Sequence, residues 1–234
     1  MTRYKIAHHQ IIESALENFN ADFFCTNNIL FGGGTRIALE LDEYRESIDI
    51  DFLCPNRSSY RAVREQVTNT SLGDLVKKDF NYAREIRADR DAVRTIISHK
   101  GINIKLEFVS FDNYELESIF NVEEFPIPAI DQISCFYTKL LANADRKLIE
   151  PYKDIFDILA MYHSWGSIPK QSVILAEQHY GDSVIIPDVI TALEDIIRDP
   201  SKYTTASHKV KMKEDWIKTI VEELPKKLLQ ELKN

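Results

Sequence analysis

Residues 31–52 read FGGGTRIALELDEYRESIDIDF, and no other stretch constrains the fold so tightly. The chain has only seven glycines, yet three stand together here. They follow a short apolar run, NILF (28–31), which reads as a buried strand. Thr35 supplies a helix cap, and RIALELDEY continues as a helix. SIDIDFLC (47–54) then alternates as a strand until Pro55-Asn56 stops it. Glycine at a strand-to-helix junction lets backbone approach a ligand closely. The amides that open the next helix then face an anion such as a phosphate.

The strand adds a constraint of charge. With a period of two, Asp49 and Asp51 share one face, while Ile48, Ile50 and Phe52 take the other. Two carboxylates this close on a half-buried strand repel each other, and neither is easily buried without a partner. Mg²⁺ resolves the conflict, because it binds through one or two carboxylates plus substrate phosphate oxygens. A wet polar face on an edge strand is the plainer alternative. In INIKLEFVS (102–110), Ile104, Leu106 and Phe108 alternate with Lys105, Glu107 and Val109. Glu107, laid beside the aspartate strand, would complete a three-carboxylate site able to hold two metal ions. Otherwise it is an exposed cross-strand partner of a cation such as Arg94.

The 234 residues suffice for one large domain or two small ones. No apolar run approaches membrane-spanning length, and MTRYKIAHHQIIES lacks the apolar core of a signal peptide, so a cytoplasmic chain without membrane partners is expected. Cys25, Cys54 and Cys135 form no disulfide framework or zinc spacing. The net charge of −8 disfavours the chain as a whole as a polyanion binder. Between Arg57 and Lys105, however, eleven Lys/Arg face six Asp/Glu, a local basic surplus.

Residues 4–19 read as a helix, and Ser58 or Ser59 caps another running to about Thr70. Strands follow at NYAREIR, AVRTIISH and INIKLEFVS, the last two joined by a turn at HKGIN. From Asp131 the texture becomes helical: 131–146, 151–164, 170–180, 187–198 and 213–233, with Pro225 kinking or restarting the last. The expected fold class is therefore α+β, a mixed sheet with helices over residues 1–128 followed by an all-helical domain over 129–234.

Taken together, these features resemble the nucleotidyltransferase superfamily, and most of all the AbiEii/AbiGii toxin family of bacterial toxin–antitoxin and phage-abortive systems. The matching motifs are Gly33-Gly34-Thr35, the Asp49-Ile-Asp51-Phe52 strand, Lys139-Leu-Leu-Ala142-Asn-Ala-Asp-Arg146, and Lys153-Asp154-Ile-Phe-Asp157. Lys153 departs from the family's usual Arg, and Glu107 stands where many members have Asp. The resemblance implies a nucleotidyltransferase fold and a helical domain with the active site in the cleft between them. It implies NMP transfer from an NTP with Mg²⁺, or Mn²⁺, to RNA, notably the tRNA 3′ end, and an antitoxin encoded nearby.

In that frame Asp49, Asp51 and Glu107 are metal ligands. Gly33, Gly34 and Thr35 hold the triphosphate through amides and a hydroxyl. Lys139 and Arg146, seven apart on one helix face, reach nucleotide phosphates, with Lys153 a further candidate. Without the resemblance, Lys139 and Arg146 are solvent-facing cations. Asp157, set within FDILAMY, is a buried acid paired with Lys139 or Lys153, orienting a lysine or serving the chemistry directly. Arg36 reads as a surface arginine. Two other functions stay open: transfer to a small molecule or protein side chain, and a degenerate, non-catalytic binding module.

Overall fold

Residues 3–111 and 113–233 are described by a computed structural model of the chain. They fall into two units. One comprises Met1–Glu40 and Ser47–Asp131, the other Leu41–Glu46 and Gln132–Asn234. The main break lies three residues beyond the expected 128/129. The excursion of residues 41–46 into the helical unit has no counterpart in the sequence expectation.

The first unit contains α1 (Ala7–Leu16), α2 (Ala21–Asn27), β1 (Leu30–Gly32), α3 (Gly33–Glu40), β2 (Asp49–Cys54) and α4 (Arg57–Gln66). After them come β3 (Asn81–Ala88), β4 (Ala92–His99), β5 (Ile102–Ser110), β6 (Ser118–Ile119) and β7 (Ala129–Ile130). The seven strands form one mixed sheet in the order β3-β4-β5-β2-β1-β7-β6. β2 thus lies inside the sheet, antiparallel to β1 and parallel to β5, not at an edge. Its apolar face drives the packing. Phe52 and Phe108 stack with centroids 5.0 Å apart, and Phe19 and Phe24 close over Phe52 at 4.7 and 4.8 Å. Tyr60 and Val63 bring α4 into the same core.

Local chemistry accounts for several boundaries. Lys100 and Gly101 both have positive φ, 48° and 81°, which produces the two-residue turn that joins β4 to β5 with His99 opposite Ile102. The side chain of Asn56, rather than Ser58 or Ser59, caps α4 by accepting from the Ser59 amide, and α4 stops at Gln66, short of Thr70. Asn20 caps α2, a helix that apolar spacing does not announce. α3 ends at Glu40, not Tyr44, because Asp42 and Glu43 both turn left-handed, at φ 52° and 54°.

The second unit is helical: α5 (Gln132–Arg146), α6 (Lys153–Trp165), α7 (Lys170–Tyr180), α8 (Ile185–Arg198), α9 (Pro200–Lys209), α10 (Glu214–Lys218) and α11 (Leu224–Leu232). α9 begins as a capped helix should, with Asp199 accepting from the Lys202 amide and Pro200 in the first turn. Between α10 and α11 the chain makes a π-helical turn, Thr219–Glu223. Widening the helix there relieves the clash a proline ring makes with the preceding turn, so Pro225 restarts the helix. No described helix is long and apolar enough to cross a membrane.

Candidate functional site

Cross-strand register assembles the first group of candidates. Gly32 on β1 pairs with Asp51 on β2, and Asp51 pairs in turn with Glu107 on β5. Asp49 and Asp51 lie on one face of β2 and are half-buried, whereas Ile50 and Phe52 on the other face are fully enclosed. Gly33, first residue of α3, has φ +70°. A Cβ there would lie 2.2 Å from Asp51 Oδ2, so the carboxylate occupies the space a side chain would need. The Asp51 carboxylate therefore sits against the N-terminus of α3, where the helix dipole favours negative charge. Gly34 follows in the same first turn.

Thr35 has a role other than the expected one. Its hydroxyl is buried and lies within hydrogen-bond reach of Ser47 Oγ, at 2.8 Å, and of the Asp49 carbonyl oxygen. It thereby ties α3 to the entrance of β2 instead of facing a phosphate. His9, also buried, accepts the Ser47 amide at 3.0 Å and fixes the same entrance. Arg36 is a second correction. It is 1% exposed, ion-paired with Glu40 and set 5.7 Å from the Phe125 ring centroid.

Glu107 shares the face of Asp51, but its carboxylate is engaged on both sides. Arg94 Nε donates to it at 2.9 Å and Lys105 Nζ at 2.6 Å. Arg94 also pairs with Asp89 at 2.8 Å. The cross-strand cation partner thus holds Glu107, and among the described residues no three His, Cys, Asp or Glu are grouped to hold a metal. Two carboxylates on one face, one of them against a helix N-terminus, fit Mg²⁺ that takes its remaining ligands from phosphate oxygens and water. As a third ligand, Glu107 does not fit while both cations hold it.

The helical unit builds a different arrangement. Lys139 on α5 is buried and reaches two carboxylates of α6, Asp154 at 2.9 Å and Asp157 at 2.6 Å. Asp157 has no exposed surface. Arg45 grips it in a fork, Nε to Oδ1 at 2.9 Å and Nη2 to Oδ2 at 3.0 Å, and the Tyr44 hydroxyl donates to it as well. Arg146 engages Asp154 at 2.5 and 3.1 Å from its half-exposed position on α5. Three cations and two carboxylates therefore alternate as Arg45, Asp157, Lys139, Asp154, Arg146, with one positive charge in excess.

Burial opposes charge on Lys139, but Asp154 and Asp157 outweigh it and leave the ammonium pKa above the ordinary lysine value. Burial alone would raise the pKa of Asp154; Lys139 and Arg146 reverse this and hold it well below the usual carboxylate range. At neutral pH Lys139 is thus a fixed cation, not a base. Asp157, with donors around both oxygens, positions Lys139 and Arg45. Lys153, in the first turn of α6, is half-buried and makes no ion pair with another described residue. Sequence reasoning named Lys139 or Lys153 as the partner of Asp157 and missed Arg45 and Tyr44. The available signal was that a carboxylate so deeply enclosed needs more than one donor.

Against this geometry the comparisons are specific. A family model described as nucleotidyl transferase AbiEii toxin, type IV TA system, matches residues 14–227. No curated protein sequence matches the chain. The backbone is similar to the crystal structure of a putative nucleotidyltransferase from Helicobacter pylori, at 14% identity and TM-score 0.55, covering 97% of this chain and 95% of that one. It is also similar to JHP933 from Helicobacter pylori, at 16% identity and TM-score 0.52, covering 97% and 92%. At such identities the likeness concerns the fold, which is nucleotidyltransferase-like. The family match extends over most of both units, and the chain belongs to the AbiEii nucleotidyltransferase toxin family.

Proposed function

We propose that the protein transfers a nucleoside monophosphate from an NTP to an RNA acceptor, with the 3′ end of tRNA the foremost candidate. The observation that carries this is the seating of Asp51 against Gly33 with Asp49 beside it on the same strand face. Asp49 and Asp51 would hold Mg²⁺ or Mn²⁺, and the metal, when bound, neutralises triphosphate charge and lowers the pKa of an oxygen bound to it. The amides of Gly33 and Gly34 face the phosphates. In the helical unit Asp154 and Asp157 hold Lys139 and Arg146 as fixed cations, and Lys153 is a further cation there. Asp157 and Arg45 keep Lys139 in place. Most of the rate comes from positioning and charge complementarity, since phosphoryl transfer asks for little covalent participation by side chains.

This activity would act on RNA in the cytoplasm, under restraint by an antitoxin. Incubation of the purified protein with each α-labelled NTP and total RNA tests the reaction. Label is expected in the tRNA fraction with wild type and not with Asp49→Ala/Asp51→Ala. Label found only in protein or small molecules would refute the RNA acceptor. Absence of label from every fraction would refute the transferase assignment itself.

A further inference from the structure

We infer that a second site, apart from the aspartate pair, docks the phosphodiester backbone of the RNA acceptor: an arginine-lined cavity between α4 and the β3–β4 turn. The assignment of RNA rests on the function proposed above. The cavity, about 720 Å³, is lined by Arg57, Tyr60, Arg61, Arg64, Arg90 and Ser110, with Glu65 and Asp91 as its acids.

Helical spacing explains the concentration of charge. Arg57, Arg61 and Arg64 stand at i, i+4 and i+7 on α4 and share one face. Arg90 joins them from the turn between β3 and β4. Like charges one turn apart on a helix destabilise it. Glu65 offsets part of this by pairing with Arg61 at 2.8 Å. Arg57 is engaged as well, whereas Arg64 and Arg90 form no ion pair with another described residue, and they bring positive charge to the cavity within a chain of net charge −8.

Position separates this cavity from the chemistry. α4 packs through Tyr60 and Val63 on the apolar face of the sheet with Phe52 and Phe108, opposite the face that carries Asp49 and Asp51. Ser110, which lines the cavity, pairs with Cys54 at the far end of β2. That is three residues, about 10 Å, along the strand from Asp51. A triphosphate held at the aspartates is therefore on the other side of the sheet. Three arginines on α4 spread over about 10 Å. A row of charge of that length matches successive phosphates along a strand better than one phosphate group. Guanidinium forks suit phosphate oxygens in geometry as well as charge.

Fluorescence anisotropy of labelled tRNA with the full chain tests the site without requiring turnover. Arg57→Ala/Arg64→Ala is expected to weaken binding on the order of tenfold at physiological salt and to flatten the plot of log affinity against log salt by roughly one to two units. Arg57→Lys/Arg64→Lys should recover most of both. All lie on an exposed helix face, so melting temperatures should match wild type. Unchanged affinity and slope in the alanine variant would overturn the docking site while leaving the transferase proposal to its own label-transfer assay. Loss of binding to an acidic protein partner with unchanged tRNA binding would also overturn it. Wild type that transfers label to protein alone, yet binds tRNA with the arginine-dependent slope, would refute the proposed reaction and uphold the site.

Discussion

The two units treat their carboxylates in opposite ways. In the sheet, Asp49 and Asp51 sit side by side on a half-buried face, with the nearer positive potential coming from the helix end at Gly33. In the helical unit, Asp154 and Asp157 are more deeply buried, and side-chain cations meet both. The first arrangement keeps two like charges adjacent on a half-buried face. The second satisfies its charge internally and converts it into fixed geometry. Removing an acid should therefore cost activity in one place and stability in the other.

The largest separation should come from Asp49→Ala/Asp51→Ala. Loss of nucleotide transfer on the order of 10³-fold is expected, the scale of removing a principal electrostatic element of a site. Thermal stability should stay within about 0.5 kcal/mol, because relieving like-charge repulsion offsets lost local bonds. A variant that unfolds instead would make the aspartates structural and erase the contrast between the units.

Asp157→Ala should behave in the reverse way. It strands Arg45 and Lys139 together in the interior without their shared carboxylate. Breaking a buried pair of this kind costs about 3–5 kcal/mol. Urea unfolding followed by circular dichroism measures it directly. A cost below about 1 kcal/mol, the scale of an exposed ion pair, would show that the network is wet and rearranges.

Gly33→Ala tests the seam between backbone and carboxylate. The position has φ +70° and the added methyl would collide with Asp51 Oδ2. Destabilisation of about 2 kcal/mol is expected from strain. Displacing Asp51 by even an ångström should lower transfer about 10²-fold. Stability loss with full activity would detach the glycine turn from the chemistry.

These contrasts mark what was legible in the sequence. Alternation set the faces of β2 and β5, and helical spacing set Lys139 and Arg146 on one side of α5. Both are properties of a single element. What failed to show was contact between elements. For Glu107 alternation gives the face and leaves two readings, metal ligand or partner of Arg94; the β4–β5 register places Arg94 opposite it, and the second cation, Lys105 on the same strand, is what the pattern does not announce. Arg45 was invisible because its segment reads as helix, and two successive left-handed residues, Asp42 and Glu43, redirect it without a glycine to announce the turn. Thr35 looked like a phosphate ligand because its sequence context is shared with one; burial against Ser47 decided otherwise.

The smallest effect expected is also the most diagnostic of how the helical network is held. Arg146 is 56% exposed and shares Asp154 with the buried Lys139, so Arg146→Ala should cost no more than about 1 kcal/mol at pH 7. Its pH dependence is more informative than its size. Asp154 has a depressed folded pKa, so its contribution is complete above the unfolded carboxylate value, about 3.9, and is lost as pH falls towards the folded one. Removing Arg146 raises the folded pKa but leaves the unfolded value alone. The unfolded value cancels between variant and wild type, so the stability gap should stay constant from pH 7 through pH 4 and close only as pH falls on through the two folded values, well below the usual carboxylate range. Urea titrations at pH 7, 5, 4 and about 2 compare the two regimes. A gap that closes between pH 7 and 5 would assign the effect to another group, and Arg146 would then be a solvated cation with no hold on the buried acids.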